Sequence, residues 1–268
     1  MKESKKPFNG TVNTSLMIDH SQDPKQAREV YDTYWESTED SYPHYPTIRH
    51  RKRCIVNEIR KFLRQADGDT SIFDFGCGEA SLLTSIQHTF SILPENLAGN
   101  DISALAVKRA QEKIPEGTFF HSAFPETSQT YSIIICSEVI EHTTEYAKIL
   151  QWIFHHLSAN GLLILTTQSG RIHASDRYTH HTQHFKKPTL DALLRKIGFT
   201  IQSSSLWGWP FFTMQKYLTN LNFDHIRDQY LEGSISSRKK IVFDTAYAAY
   251  KLHDLIPFGP QIYITAKK

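Results

Sequence analysis

The sequence predicts an α/β fold in which helices flank a doubly wound, mostly parallel sheet. Short apolar segments rich in β-branched and aromatic residues alternate along the chain with stretches of helical periodicity. The run Ile133–Ile135 stands between turn-like segments and is typical of a parallel strand that is buried on both faces. A glycine-rich turn joins an early strand to its helix, and sheets of this kind bind ligands at their carboxyl edge.

The segment Ser71–Ala80 is the most informative part of the chain. The apolar residues of Ile72–Phe75 predict a short buried strand, and Gly76–Gly78 predicts a sharp turn before a helix that opens at Ser81. Two glycines let the backbone approach a ligand closely, and the free N–H groups of the helix favour an anionic group. A P-loop needs Gly-Lys-Ser/Thr, which is absent, and a dinucleotide site usually has glycine where Ser81 stands.

A second predicted strand, over residues 96–103, contains Asp101 close to its end. Asp101 lies 23 residues after Gly78. An acid about 20 residues beyond such glycines accepts hydrogen bonds from ribose hydroxyls. The alternative is that Asp101 caps the helix predicted over Ala104–Lys113, for which Ser103 is the competing cap.

The pattern Asp-x-Gly-x-Gly-x-Ala over 74–80 resembles motif I of the class I S-adenosylmethionine-dependent methyltransferases. Residues 131–142 resemble motif IV of the same family. The resemblance covers about residues 70–205 and a last strand over 259–266, and within the family the chain is similar to small-molecule enzymes such as the ubiquinone-biosynthesis O-methyltransferases and the methyltransferase-23 group. It implies a seven-stranded sheet with an antiparallel last strand and a helical lid.

The resemblance also implies S-adenosylmethionine as the cofactor. The glycine turn would hold its methionine part, Asp101 the ribose, and Phe124 with backbone groups the adenine. The acid that usually follows strand three is missing from 120–124, and Ser132 stands where an Asp commonly begins strand four. The expected cofactor-binding residues are Asp74, Gly76, Cys77, Gly78, Asp101, Ile102, Ser122, Ala123, Phe124, Ser137 and Glu138.

The string Glu138-x-x-Glu141-His142 has three interpretations. On a helical turn these positions share one face, so the three side chains would hold a divalent metal, completed by a later histidine among residues 173–184. In the second interpretation, Glu138 contacts the amino group of the cofactor and the other two residues lie on a solvated helix start. In the third, His142 or His181 is a metal-free general base, since histidine titrates in the required range.

The expected activity is methyl transfer to a small organic acceptor, with oxygen as the acceptor atom and nitrogen as the alternative. A metal-dependent RNA 2′-O-methyltransferase is a competing function, because small-RNA enzymes of the Hen1 type use a similar Glu-x-x-Glu-His string. The basic run His50–Arg53 adds to this alternative, although such runs are typical of a solvated helix face. A third possibility is a non-catalytic protein that binds the cofactor and serves as a partner of another protein.

Composition favours a small-molecule enzyme of the cytoplasm. The 268 residues carry 30 Lys and Arg against 28 Asp and Glu, and the net charge of +2 provides no field for nucleic acid. Cys54, Cys77 and Cys136 cannot all pair, which indicates a reduced compartment. No apolar run approaches the roughly 20 residues of a membrane span, and the first residues do not resemble a signal peptide. The oligomeric state stays open.

Three zones are expected along the chain. Residues 1–20 form a flexible N-terminus, residues 21–68 a helical lid segment, and residues 69–268 the methyltransferase domain, with a lid insertion at about 207–255. Aromatic residues of the lid either line a substrate cavity or pack between the added helices. In the N-terminal segment they are Tyr31, Tyr34, Trp35, Tyr42 and Tyr45.

Overall fold

A sheet of seven strands lies at the centre of the protein. The computed structural model describes Asp32 and residues 44–66, 68–230 and 236–268. The strands are β1 (Ile72–Phe75), β2 (Leu97–Asp101), β3 (Thr118–His121), β4 (Tyr131–Ser137), β5 (Leu157–Gln168), β6 (Thr200–Trp207) and β7 (Gln261–Lys267). Their order is β3-β2-β1-β4-β5-β7-β6, and β7 runs antiparallel to the other six strands. The predicted fold class is confirmed.

Helices precede β1 and connect many of the later strands. They are α1 (Pro46–Leu63), α2 (Ser81–Phe90), α3 (Ala104–Lys113), α4 (Tyr146–His156), α5 (Ala174–Tyr178), α6 (Lys187–Ile197), α7 (Phe211–Leu221), α8 (Phe223–Tyr230) and α9 (Ser237–Tyr250). Short 3-10 segments span Pro94–Asn96, Ile140–His142 and Lys251–Leu255. The helix predicted over 104–113 has those limits.

The central strands are buried on both faces, as the continuous apolar runs predict. Side chains alternate between two cores, so that Phe73 and Ile134 lie in one, and Ile72 and Ile133 lie in the other. Helices α4 and α6 close the first core, while α1, α2 and α3 close the second. Because both faces are covered, the carboxyl ends of β1, β2 and β4 are left as the open edge where a ligand can bind.

The expected lid segments contact each other within the described residues. Tyr45 packs its ring 5.3 Å from that of Phe243 on α9, and Arg49 forms an ion pair of 2.5 Å with Asp244. Tyr31, Tyr34, Trp35 and Tyr42 lie outside the described residues, as do residues 1–20, so the expected zones stay a prediction. Among the helices that the structure describes, none is both long and apolar enough to cross a membrane.

Candidate functional site

A cavity of about 840 Å³ opens at the carboxyl ends of β1, β2 and β4. Helix α1 and Tyr247 of α9 form part of its wall. Most of the residues expected to bind cofactor line it, namely Asp74, Gly76, Cys77, Gly78, Asp101, Ile102, Ala123, Phe124, Ser137 and Glu138. His142 lines it as well. The structure therefore brings together residues that are scattered over about 70 positions of the sequence.

The glycine turn at the end of β1 admits no side chain at position 76. Gly76 has a φ of +77°, and a Cβ there would lie 2.4 Å from Cγ2 of Val139. The turn is held to the end of β2 because the backbone N–H of Cys77 donates to the carbonyl of Asn100 at 2.8 Å. The result is a bare, fixed stretch of backbone that a ligand can approach closely.

Asp101 is held by backbone donors on both of its carboxylate oxygens. Oδ2 accepts the N–H of Gly78 at 2.9 Å, and Oδ1 accepts the N–H of Ser103 at 2.9 Å. Ser103 itself caps α3 by accepting the N–H of Ala106 at 3.0 Å. Burial raises the pKa of Asp101, and the N–H groups of Ser103 and Gly78 oppose that shift. A carboxylate with one donor on each oxygen retains free lone pairs for a ligand.

The wall beyond Asp101 is apolar and is braced from behind. Ile102, Ala123 and Phe124 line the cavity. Ser122 closes the loop after β3, since its hydroxyl donates to the carbonyl of Phe124 at 2.9 Å and accepts the N–H of the same residue at 3.2 Å. The Ser122 side chain is thereby engaged in holding the loop, while its neighbours present a surface suited to a flat apolar group.

Asp74 and Cys77 lie deep in the cavity as neutral groups. Burial, together with the charge of Asp101, raises the pKa of Asp74 to about 8. Burial raises the pKa of the Cys77 thiol well above its ordinary value, with the charges of Asp101 and Asp74 adding to the effect. At neutral pH the floor of the cavity thus carries a carboxylic acid and a thiol.

Glu138 directly follows β4 and has a left-handed backbone, with φ of +57°. Its Oε1 accepts the hydroxyl of Thr166 at 3.0 Å, and the same hydroxyl lies 2.9 Å from that of Ser137. On the other oxygen, Arg51 of α1 approaches to 3.6 Å and the Gln261 amide donates at 3.4 Å. The helical turn expected to include Glu138 begins only at Ile140, so Glu138 does not share a helical face with Glu141 and His142.

Glu141 is fully buried behind the cavity wall. Its Oε2 accepts the hydroxyl of Thr167 at 2.7 Å, whereas Oε1 has no hydrogen-bond partner among the described residues. Burial raises the pKa of Glu141 well above its ordinary value, and the charge of Glu138 raises it further. Burial of a carboxyl group with no cation beside it favours its protonated form.

Two histidines complete this part of the site. The rings of His142 and His181 meet edge to face with centroids 4.6 Å apart. Burial lowers the pKa of His142 to about 4, and burial together with the charge of His142 lowers the pKa of His181 further still. Nδ1 of His181 lies 2.9 Å from Nε2 of His184, so one of these two neutral rings donates to the other.

The histidine that completes a metal-ligand group is therefore His181. Ligand atoms of Glu141, His142 and His181 all lie within 4.8 Å of one another. A second set, formed by Asp176, His181 and His184, satisfies the same limit. Carboxylate with imidazole is the donor combination of zinc, manganese and iron sites. The predicted metal ligands Glu138, Glu141 and His142 share two members with the first set.

Sequence reasoning missed several residues of the site. Asn100 accepts the Gly76 N–H at 3.4 Å and donates to the carbonyl of Ser122 at 2.8 Å, which links the glycine turn to the loop after β3. Its position beside Asp101 at a strand end was the available signal. Arg51 was expected on a solvated helix face together with His50, yet it lines the cavity, and His50 is buried. No local sequence pattern distinguishes a solvated helix face from one that lines a cavity or is buried.

A profile of the methyltransferase-domain family matches residues 48–204, which is more than half of the chain. The chain belongs to the methyltransferase-domain family. The match begins in α1 and ends in β6, so it includes both the glycine turn and the Glu138–His142 segment. Membership confirms the resemblance to class I S-adenosylmethionine-dependent methyltransferases that the motif over 74–80 predicts.

Individual relatives are distant. The malonyl-[acyl-carrier protein] O-methyltransferase of Bacillus anthracis is 19% identical over 129 residues, which are 47% of this chain and 48% of that protein. The match thus spans about half the length of this relative. Among solved structures, the [4+2]-cyclase SpnF has a TM-score of 0.61 at 17% identity, covering 91% of this chain and 96% of that chain.

A second structural neighbour is magnesium protoporphyrin IX methyltransferase of Synechocystis PCC 6803, solved with S-adenosylhomocysteine. It has a TM-score of 0.57 at 14% identity, covering 92% of this chain and 100% of that chain. The cyclopropane synthase MmaA2 of Mycobacterium tuberculosis has a TM-score of 0.52 at 14% identity, covering 75% and 79% of the two chains. One fold therefore serves several reactions, and the reaction has to be argued from the site.

Proposed function

We propose that this chain transfers the methyl group of S-adenosylmethionine to a hydroxyl oxygen of a small organic acceptor. The observation that carries the proposal is the cavity of about 840 Å³, which holds the glycine turn, Asp101, Glu138 and His142 together. Its volume is in the upper part of the range of small-molecule sites, roughly 300–1,000 Å³. One cavity thus offers both a surface for a cofactor and titratable groups for an acceptor.

The residues present fit this cofactor. Position 76 is a cradle that a Cβ would fill, and Asp101 lines the cavity with acceptor capacity left over. In the proposed assignment, Asp101 binds the ribose hydroxyls and Glu138 binds the amino group, while Ala123 and Phe124 contact the adenine. When bound, S-adenosylmethionine supplies a methyl group on a positively charged sulfur.

His142 is the proposed general base. It lines the cavity, and with a pKa of about 4 it is neutral at physiological pH and able to accept a proton. The charge of Glu138 raises the pKa of His142 and so stabilises the protonated ring. His181, packed against it, is the alternative base and the orienting partner. Removal of the hydroxyl proton accompanies arrival of the methyl group, and fixed positioning of the acceptor supplies much of the remaining acceleration.

An oxygen acceptor with an acidic group nearby is favoured over nitrogen for two reasons. Arg51 and Lys52 both line the cavity, and burial lowers the pKa of Lys52, which indicates that its ammonium group is partly removed from water. Cations in this position stabilise a negative charge on an acceptor. The relative from Bacillus anthracis is an O-methyltransferase, which adds weak support at 19% identity. An amine acceptor is the alternative.

A metal-dependent version of the reaction is the second candidate. The observation that favours it is the buried, unpartnered Oε1 of Glu141 within 4.8 Å of ligand atoms of His142 and His181. These residues would hold the ion behind the cavity wall, where its charge would favour an ionised acceptor. Activity that disappears with a chelator and returns with zinc or manganese would support this version, and would revive the RNA 2′-O-methyltransferase alternative. Full activity in the chelator would exclude both.

The first test is calorimetric titration of S-adenosylhomocysteine into the wild type and Asp101→Ala. Loss of two hydrogen bonds to a charged group corresponds to about 3 kcal/mol, so we expect a dissociation constant about 100-fold larger in the variant. Glu116→Ala, which removes an exposed acid, is the matched control and should bind as the wild type does. Equal binding in all three proteins would overturn the ribose assignment.

Binding without turnover on a broad panel of hydroxyl and amine acceptors would instead support the non-catalytic partner role. A cytoplasmic location is also proposed, because Cys54, Cys77 and Cys136 are free thiols in the structure. Fractionation of cells that express the full chain would test it. Recovery outside the cytoplasm would contradict this proposal without bearing on the enzyme activity.

A further inference from the structure

A second cavity, of about 560 Å³, lies between α1, the ends of β6 and β7 and the segment that follows α9. Its volume is within the range of small-molecule sites. Helix α1 contributes to the walls of both cavities, and Arg53 and Arg60 line both of them. The residues proposed to bind cofactor in the first cavity do not line the second one, which makes the two sites separable by mutation.

Buried polar atoms without partners are concentrated around this second cavity. They are Nε of Arg53, Nε1 of Trp207, both ring nitrogens of His253 and the hydroxyl of Tyr263. None of them has a hydrogen-bond partner among the described residues, although Trp207, His253 and Tyr263 are at most 7% exposed. Buried polar groups are nearly always paired in native proteins, so this concentration calls for an occupant.

Most of the unpartnered atoms need an acceptor. Nε of arginine and Nε1 of tryptophan can only donate, while the tyrosine hydroxyl and a neutral histidine ring each offer one donor, and the second nitrogen of the His253 ring is an acceptor. The other end of the Arg53 guanidinium is engaged, since Nη2 donates to Asp254 at 2.7 Å and lies 3.1 Å from Nδ1 of His50. The Nε–H is buried and has no hydrogen-bond partner among the described residues.

The charged side chains of the cavity wall also favour a ligand that accepts hydrogen bonds, because their net charge is positive. Four cations line the cavity, namely Arg53, Arg60, Lys61 and Arg64, against the two carboxylates Glu58 and Asp254. Lys61 is paired with Glu58 at 2.7 Å and Arg53 with Asp254, so Arg60 and Arg64 provide the excess positive charge. A wall with more cations than anions favours a negatively charged occupant.

The floor of the cavity is rigid enough to form a defined site. The ring of Trp207 lies 4.5 Å from that of His50, at an interplanar angle of 42°, and 5.7 Å from that of His253. These rings come from α1, β6 and the segment after α9, and the Tyr263 hydroxyl comes from β7. Donors fixed on four different elements are held in place without any ligand, which lowers the entropic cost of binding.

We propose that this second cavity binds a small oxyanion, a phosphate or a carboxylate group, through the Arg53, Trp207 and Tyr263 donors. The site is independent of methyl transfer. A ligand there would connect α1 to β6 and β7. Helix α1 also forms part of the wall of the first cavity. Ordered water satisfies buried polar groups in many proteins, and the experiment below distinguishes the two occupants.

The test is titration of inorganic phosphate into the full chain, followed by calorimetry and by the indole N–H resonances in NMR. We expect saturable one-site binding and a shift of the Trp207 indole N–H resonance. Tyr263→Phe keeps the aromatic ring and removes only the hydroxyl, whereas Trp207→Phe removes the indole N–H together with one of the two fused rings. Each variant should weaken binding about fivefold. S-adenosylhomocysteine affinity serves as the control for folding and should be unchanged in both variants.

Acetate in place of phosphate distinguishes a carboxylate ligand from a phosphate ligand, and binding of either with the same variant sensitivity supports the site. Two results would overturn the proposal. One is the absence of saturable binding of both anions to the wild type, which would leave water as the occupant. The other is binding that neither variant weakens, which would place the anions on surface cations instead.

Discussion

The two ends of the cofactor cavity differ in how their polar groups are satisfied. At the ends of β1 and β2, backbone groups hold the side chains in place, as the N–H groups of Gly78 and Ser103 hold Asp101. At the ends of β4 and β5, titratable side chains pack against each other, and Glu141 keeps one oxygen without a partner among the described residues. Both ends contain acids with raised pKa values, but at the first end Asp101 is fixed by backbone donors, whereas at the second end the titratable side chains contact one another.

This difference suggests a division of labour. Backbone donors hold one geometry regardless of pH, which suits recognition of an unchanging cofactor. Buried titratable groups respond to a proton, a cation or a substrate, which is why shifted pKa values cluster at sites of chemistry. Mutations at the two ends should therefore give different signatures, with binding and stability affected at the first end and turnover at the second.

His142→Ala should produce the largest effect and should separate the two ends most clearly. Loss of a general base lowers kcat by about 10²- to 10⁴-fold. We expect the affinity for S-adenosylhomocysteine to stay within about threefold of the wild type, because the β1 and β2 end is intact. His88→Ala, at an exposed position of α2, is the control. Normal turnover in His142→Ala would transfer the role of base to His181 or to a bound metal.

Gly76→Ala should damage the recognition end. The new Cβ would lie 2.4 Å from Val139 on a backbone with φ of +77°, so we expect a loss of about 2 kcal/mol in the free energy of unfolding and much weaker cofactor binding. Gly68→Ala is the matched control, since Gly68 has a φ of +96° with no atom within 4 Å of the new Cβ. Urea unfolding of both variants separates the clash from the backbone strain. Equal losses in the free energy of unfolding would mean that the Val139 side chain moves aside without cost.

Glu141→Gln tests the chemical end through the pH dependence of stability. The folded-state pKa of Glu141 is raised well above 4.5, so its contribution to stability is present below pH 4.5 and is lost as the pH rises through the folded value. The variant cannot ionise. Its free energy of unfolding should therefore rise relative to the wild type between pH 5 and pH 8, by at most about 1.4 kcal/mol per pH unit.

A bound divalent ion would reverse that trend, because the wild type would then need the ionised carboxylate. Repeating the pH series with zinc or manganese and with a chelator therefore distinguishes the metal-dependent site from the metal-free one. A pH-independent difference between Glu141→Gln and the wild type in both conditions would contradict the raised pKa.

Arg51→Gln should give the smallest effect. Arg51 lies 3.6 Å from Glu138, and both side chains retain some exposure, so the ion pair contributes about 1 kcal/mol or less. We expect a change of up to about fivefold in cofactor affinity that diminishes as salt is added. Arg109→Gln on α3 serves as a comparison for charge removal outside the cavity wall. An effect of Arg51→Gln above 30-fold would mean that Arg51 contacts a ligand directly.

The sequence determined the fold class, the glycine turn and the acid at the end of β2. Each depends on neighbours in the chain, through strand periodicity, the glycine spacing and the 23 residues from Gly78 to Asp101. Helix α3 has the predicted limits for the same reason, with Ser103 as its cap. Local patterns of this kind can be predicted from the sequence because backbone geometry and burial impose them within a few residues.

Only the tertiary structure decided which titratable groups meet. His181 joins Glu141 and His142 from 39 positions beyond His142. The left-handed backbone of Glu138 removes that residue from the expected helical face, and the burial of His50 depends on Trp207, far along the chain. Such contacts depend on which distant segments pack together at the edge of the sheet. The periodicity of the sequence does not predict them, because residues far apart in sequence become neighbours only when the hydrophobic core has formed.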